Sequence, residues 1–231
     1  MTTDFILSII LTSMGFIGYH FSMNSEELYK KLYPSTSPSN TAKWVTYQRL
    51  CGMFFLGLLP MICVLFFFQL SFAELGINGE NLGKTALYTL GLCGLLVFMN
   101  SQIAGKPDNL TFYPQIRSFP WTPKTFFLNS WGWIGYLVAY EFLFRGVLFF
   151  GTLHYIGLTA AVALNACIYA LVHIPKGIKE TIGAIPLGIV LCLISYDTNN
   201  IWTALLVHIA LALSNDYFAH KAQVKLLQQG K

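Results

Sequence analysis

Seven apolar stretches follow one another along this chain of 231 residues, at roughly 5–22, 50–70, 85–99, 125–153, 157–174, 181–196 and 201–219. A helix needs ~20 largely apolar residues to cross ~30 Å of hydrocarbon, so every stretch but the fourth has about the length of one crossing. Charged residues make up only 10% of the chain, where a soluble domain carries roughly a quarter. One soluble core cannot absorb that much apolar sequence. The fold class expected is therefore all-α: a polytopic transmembrane helical bundle of about seven spans. The fourth stretch is too long for one straight crossing. Its first part, Thr125 to Trp133, carries Asn129, Ser130 and two tryptophans and is expected at the interface, with the crossing proper from about Gly135.

The basic residues sort by connection. Lys30, Lys31, Lys43 and Arg49 fall in the first, Lys106, Arg117 and Lys124 in the third, Lys176 and Lys179 in the fifth, and Lys221, Lys225 and Lys231 in the tail. The alternate connections hold Lys84 beside Glu74 and Glu80, and then Asp197 with Asn199 and Asn200. Twelve of fourteen basic residues thus share one side, which the positive-inside rule makes cytoplasmic; the N-terminus is expected outside and the C-terminus in the cytoplasm. The first run follows Met-Thr-Thr-Asp, without a positive leader or small-residue cleavage site, and is expected to be retained.

The net charge of +4 suits anionic lipid headgroups, so membrane lipids are expected partners and nucleic acid is not. The Pro-Ser-Thr-Ser-Pro-Ser-Asn stretch at 34–40 reads as a cytoplasmic loop. Cys51, Cys63, Cys93, Cys167 and Cys192 are odd in number, lie in apolar stretches and lack metal-type spacing; they read as small core residues.

Glu141 and Arg145 interrupt the fourth run. An unpaired charge at the bilayer centre costs ~3 kcal/mol or more, so both should face the bundle interior and find partners. Four residues apart on a helix, they can pair with each other. A structural lock between helices satisfies that pattern as well as a reactive site does. His173 ends the fifth run and His208 lies within the last. A glutamate and two histidines on three spans, at depths compatible with one cytoplasm-side cavity, supply the groups needed to activate water or polarise a carbonyl. Glu141, His173 and His208 could also hold zinc with an open position. Lys176 and Glu180 follow His173, as an interfacial ion pair or as part of the site. Asn215 falls on nearly the same face as His208 two turns on, with Asp216 adjacent; a polar pair at a helix end is the plainer reading.

In this order, these residues resemble the CPBP family of intramembrane proteases, the CAAX-protease and bacteriocin-processing group also called Abi. Its Glu-Glu-x-x-x-Arg motif is resembled by Tyr140-Glu141-Phe142-Leu143-Phe144-Arg145, its Phe-x-x-x-His motif by Tyr169 to His173, and its last motif by Asn199-Asn200-Ile201-Trp202 running to His208. Gly183 to Gly188 resembles a glycine-containing helix where small residues let backbones approach. On this division, 1–120 holds N-terminal spans, 121–220 the CPBP-like catalytic core and 221–231 a basic cytoplasmic tail. Two positions depart from the family: Tyr140 replaces the first glutamate, usually assigned to activating water, and Ala212 replaces a polar residue after the last histidine.

The resemblance implies an intramembrane endopeptidase acting on a membrane-associated protein or peptide, such as a prenylated CAAX tail, a peptide precursor or a C-terminal sorting segment. It implies a bacterial cytoplasmic membrane. Glu141 with His173 would activate water, His208 and Asn215 would stabilise the oxyanion, and Arg145 would orient Glu141, while Glu180, Lys176, Asp216 and Tyr140 would support the site. No cofactor is the preferred expectation, with zinc on Glu141, His173 and His208 as the alternative. A non-catalytic scaffold or immunity-type regulator would account for Tyr140 and Ala212. A transporter is disfavoured, since no matching pair of broken helices appears.

Overall fold

The computed structural model describes residues 3–33 and 41–230; the loop expected at 34–40 lies outside the described residues. Every regular element among them is helical. After α1 (Thr3–Met23) and the short α2 (Glu26–Leu32), α3 (Thr41–Gly52) runs through a π-helical segment, Met53–Leu58, into α4 (Leu59–Phe67). Then come α5 (Leu82–Ile103), the single turn α6 (Pro107–Leu110) and α7 (Pro123–Glu141), which continues through a second π-helical segment, Phe142–Phe150, into α8 (Gly151–Leu171). A 3-10 turn at Ile174–Lys176 leads to α9 (Ile178–Thr198) and α10 (Trp202–Gln228).

Five helical stretches are long and apolar enough to cross a membrane: Thr3–Met23, Thr41–Phe67, Leu82–Ile103, Pro123–Leu171 and Ile178–Thr198. The 49-residue stretch Pro123–Leu171 is interrupted at Gly157, whose φ of 74° and ψ of 169° leave the helical region. α10 falls outside this set because His208, Asn215 and Asp216 interrupt its apolar run.

The first helix is polar inside and apolar outside. On α1, Asp4, Ser8, Thr12 and Gly15 are buried while Ile6, Ile10, Met14, Ile17 and Phe21 are exposed. In water that pattern would be backwards; in lipid the apolar stripe meets hydrocarbon and the polar groups find partners within the bundle. The Asp4 carboxylate accepts backbone N–H bonds from Gln69 (3.1 Å) and Leu70 (3.0 Å), tying the start of α1 to the end of α4. Where the first π-helical segment crosses α7, a Cβ on Gly57 would stand 2.7 Å from Ala139 Cβ, so only glycine allows that approach.

The two ends of the bundle differ in chemistry. At one, Lys84 pairs with Asp197 at 3.1 Å, Asn199 donates to Glu80 at 2.9 Å and the Trp202 indole donates to the Asn78 carbonyl at 2.6 Å. At the other, Arg117 donates to the Leu110 and Thr111 carbonyls, each at 2.9 Å, Lys179 pairs with Asp108, and His220 accepts the Trp121 N–H at 3.1 Å. Arg117 and Lys179 thus lie at the end opposite the one that holds Glu80, Asp197 and Asn199. Outside the spans, the Lys179 ammonium hydrogen-bonded to Asp108 lowers that carboxyl below its ordinary value.

Three expectations need correction. Arg49 is no loop residue: it is buried within α3 and donates to the Asn129 carbonyl at 2.8 Å. Asn129 is consequently buried in the bundle rather than at the interface, and α7 is continuous from Pro123, where the Thr122 hydroxyl accepts from Thr125 N–H at 3.2 Å and proline occupies the first turn. The chain leaves the helical region at Gly157, at the junction between the fourth and fifth apolar stretches. Of the cysteines, Cys51 and Cys192 are buried, Cys63 and Cys93 half-buried and Cys167 exposed, all as free thiols.

Candidate active site

The site is assembled from α7 with its π-helical continuation, the C-terminal turn of α8 and the N-terminal half of α10. Asn199, at φ 53°, ends α9 in a left-handed turn. The side-chain oxygen of Asn200 then accepts the Trp202 N–H at 3.1 Å, its amide is held by Thr85 Oγ1 at 2.9 Å and the Glu80 carbonyl at 2.8 Å, and α10 starts from there. The Asn-Asn-Ile-Trp sequence thus fixes where α10 begins and how deep His208 lies.

Glu141 and Arg145 are both fully buried, with Arg145 Nε 3.5 Å from Glu141 Oε2. The guanidinium stands over the face of Tyr169, 4.7 Å from the ring centroid. A Cβ on Gly188 would lie 3.1 Å from the Tyr169 ring, so α9 brings its backbone up to that ring. Gly183 serves differently: nothing lies near it and it lines the cavity described below. The other carboxylate oxygen, Glu141 Oε1, is hydrogen-bonded to His208 Nδ1. A carboxylate only accepts, so His208 carries a proton on Nδ1, and its Nε2 is hydrogen-bonded to the Tyr169 hydroxyl at 2.6 Å. Glu141, His208 and Tyr169 therefore form one chain of hydrogen bonds across three helices.

His173 lies outside the spanning segments, in the connection between α8 and α9. Its Nδ1 bonds the Tyr169 carbonyl at 2.7 Å; a carbonyl only accepts, so Nδ1 is protonated and Nε2 keeps its lone pair. Burial, reinforced by the nearby Lys176 ammonium, pushes the imidazole down to about 3, so the ring is neutral at physiological pH.

A cavity of about 400 Å³ opens against these groups, lined by Tyr140, Tyr169, His173, Lys176, Glu180, His208 and Asn215. The structure thus brings both histidines together, with Asn215 and the Lys176–Glu180 pair, which is 3.8 Å apart, around one space. It does not bring Glu141 to that space. The carboxylate that stays in the family's motif is sealed behind His208, and the position facing the cavity is Tyr140. Asp216 turns elsewhere: it accepts from the Trp133 indole at 2.6 Å and lies 3.8 Å from Arg49.

The sequence reading missed residues from the first 120. Phe16, Tyr19, His20 and Asn100 line the same cavity, and Asn100 donates to the Leu211 carbonyl at 2.9 Å and to Ser214 Oγ at 2.8 Å. A lone polar residue near the end of an apolar span, as Asn100 is, was the available signal.

Zinc would need Glu141, His173 and His208 to turn donors to one point. Both nitrogens of His208 are engaged, Nδ1 of His173 holds a backbone carbonyl, and among the described residues no three His, Cys, Asp or Glu side chains form a ligand group. The donors present do not fit that metal.

Residues 122–214 match the family model for type II CAAX prenyl endopeptidase Rce1-like proteins. The matched span contains Glu141, Arg145, His173 and His208 and stops one residue short of Asn215. It agrees with the CPBP resemblance. No curated protein and no solved structure matches the chain.

Proposed function

We propose, from the Rce1-like match over residues 122–214, that this integral membrane protein is an endopeptidase which hydrolyses a peptide bond of a membrane-associated substrate, without a metal. The substrate classes in view are prenylated CAAX tails, peptide precursors and C-terminal sorting segments, and the membrane is the bacterial cytoplasmic membrane. The chain would cross it seven times, with the N-terminus outside and the cavity toward the cytoplasm.

The observation that carries the reading is the pair of imidazoles on one cavity, each with its Nδ1 held by an oxygen acceptor. Neutral His173 accepts a proton from water at Nε2 as the water oxygen bonds to the scissile carbonyl carbon and the carbonyl π pair moves to oxygen. Collapse of that intermediate re-forms the carbonyl, breaks the C–N bond, and returns the His173 proton to the departing amine. Glu141 acts through His208, fixing the ring as a buried carboxylate fixes an imidazole in hydrolytic triads, while Arg145 keeps that carboxylate charged in lipid. The amide of Asn215 donates to the developing oxyanion. The water-activating role that the family resemblance implied for Glu141 thus passes to His173.

The test uses protein purified into liposomes with a farnesylated CAAX peptide and its unprenylated counterpart, and product termini read by mass spectrometry. Cleavage that is lost in His173→Ala and in His208→Ala supports the reading. Cleavage by the parent and both variants that does not exceed protein-free liposomes would return the chain to the non-catalytic scaffold or immunity-type role that Tyr140 and Ala212 suggest.

A further inference from the structure

Tyr140 occupies the place where the resembled motif has its first carboxylate, and its surroundings say what a phenol there can do. The residue lines the cavity with His173, His208 and Asn215. Its ring is held on three sides: stacked on Phe144 at 4.4 Å, and edge-on to Tyr169 at 6.0 Å and His208 at 6.1 Å. Only 6% of the residue is exposed, and its hydroxyl has no hydrogen-bond partner. An orphaned buried hydroxyl is costly in any protein and more so in a membrane, so its persistence beside two imidazoles calls for a partner that arrives with the substrate. Asn215 lines the same cavity, and its side-chain amide nitrogen is a donor.

A carboxylate at this position would accept protons. A phenol with an ordinary pKa of about 10 stays protonated at neutral pH and is of little use as a base, but it donates a hydrogen bond to an oxygen. Resting on the endopeptidase reading above, we propose that the Tyr140 hydroxyl donates to the scissile carbonyl oxygen of the substrate and, with Asn215, forms a two-donor oxyanion site. The chain has therefore exchanged a base for an electrophile at this position, with His173 left as the base. The rigid ring meets the requirement of such a donor, because a preorganised dipole does not have to reorient as charge develops.

The experiment is Tyr140→Phe in the full-length protein, which removes one oxygen and leaves the stacked ring. It is assayed in liposomes on a fluorogenic peptide covering a bond whose cleavage requires His208. The expected result is a kcat about 10²-fold lower with KM changed by less than about 2-fold, and thermal stability in detergent equal to or above that of the parent. A kcat within about 2-fold of the parent overturns the proposal while His173→Ala and His208→Ala remain inactive and uphold the endopeptidase reading. A clear fall in melting temperature also overturns it, since the hydroxyl would then have a partner in the free protein. Retained cleavage in both histidine variants removes the endopeptidase reading itself, and this proposal with it.

Discussion

Two buried arginines sit in this bundle, and they are held in opposite ways. Arg49 commits both terminal nitrogens to hydrogen bonds, with the Asn129 carbonyl at 2.8 Å, Asn129 Oδ1 at 3.0 Å and Gln115 Oε1 at 3.1 Å, and its guanidinium lies 4.4 Å from the Trp133 ring centroid. Asp216 completes that cluster through the Trp133 indole. None of the three guanidinium nitrogens of Arg145 has a hydrogen-bond partner; it keeps a carboxylate at 3.5 Å and the face of Tyr169. The first cluster ties α3, α7 and α10 together with its polar capacity mostly spent. The second leads through Glu141 and His208 to a cavity. Membrane helices lack a hydrophobic drive to associate in lipid, so a saturated polar cluster is what a lock needs, and one that ends at an imidazole beside open space is what chemistry needs.

That contrast can be broken by mutation, and the largest effect should fall on turnover. His173→Ala is expected to reduce peptide cleavage by about 10³-fold or more, with a melting temperature near that of the parent; steady-state assays in liposomes and thermal melts in detergent check both halves. Arg49→Leu should do the reverse. It leaves Asp216 buried and unpaired, costs about 3–5 kcal/mol of stability, and leaves kcat of the surviving folded fraction close to normal.

The pair behind the site should behave as a unit. Glu141→Gln alone strands the Arg145 charge and lowers stability by about 3 kcal/mol or more, whereas Glu141→Gln with Arg145→Gln recovers much of the loss without recovering cleavage. A double-mutant cycle on the melts reads the coupling directly.

The pH response should be smaller and of known sign. The His173 imidazole is depressed to about 3 in the folded protein, against about 6.5 for an unperturbed ring, so the unfolded chain binds the extra proton first. Its contribution to stability is complete above about pH 6.5 and is lost as pH falls toward about 3. Replacing Lys176 by Gln removes a like charge, so the folded-state value should rise, which makes that stability loss smaller and moves the acid limb of turnover to higher pH. The least effect is expected from Glu180→Gln: its partner Lys176 is 3.8 Å away and both are partly exposed, so stability should change by less than about 1 kcal/mol.

The fold class was legible because lipid demands it: runs of apolar residues of crossing length leave the helix as the natural way to satisfy the backbone. The pairing of Glu141 with Arg145 followed from spacing alone. Arg49 was misplaced because a basic residue at the edge of an apolar run looks like a loop charge until Asn129 and Asp216, 80 and more positions away, are brought beside it. The direction in which Glu141 points was also hidden. Spacing put the carboxylate and the histidines at one depth, but neighbours on a helix point about 100° apart, so with Tyr140 on the cavity Glu141 meets His208 from behind.

The central claim is that this cavity cleaves a peptide bond, with His173 as the base and His208 held in place by Glu141, and it is tested most directly in native membranes. Protein termini from membranes and medium would be compared between cells carrying the intact protein and cells carrying His208→Ala at equal abundance. The account predicts at least one new terminus present with the intact protein and missing with the variant. Identical sets of termini in the two would contradict it.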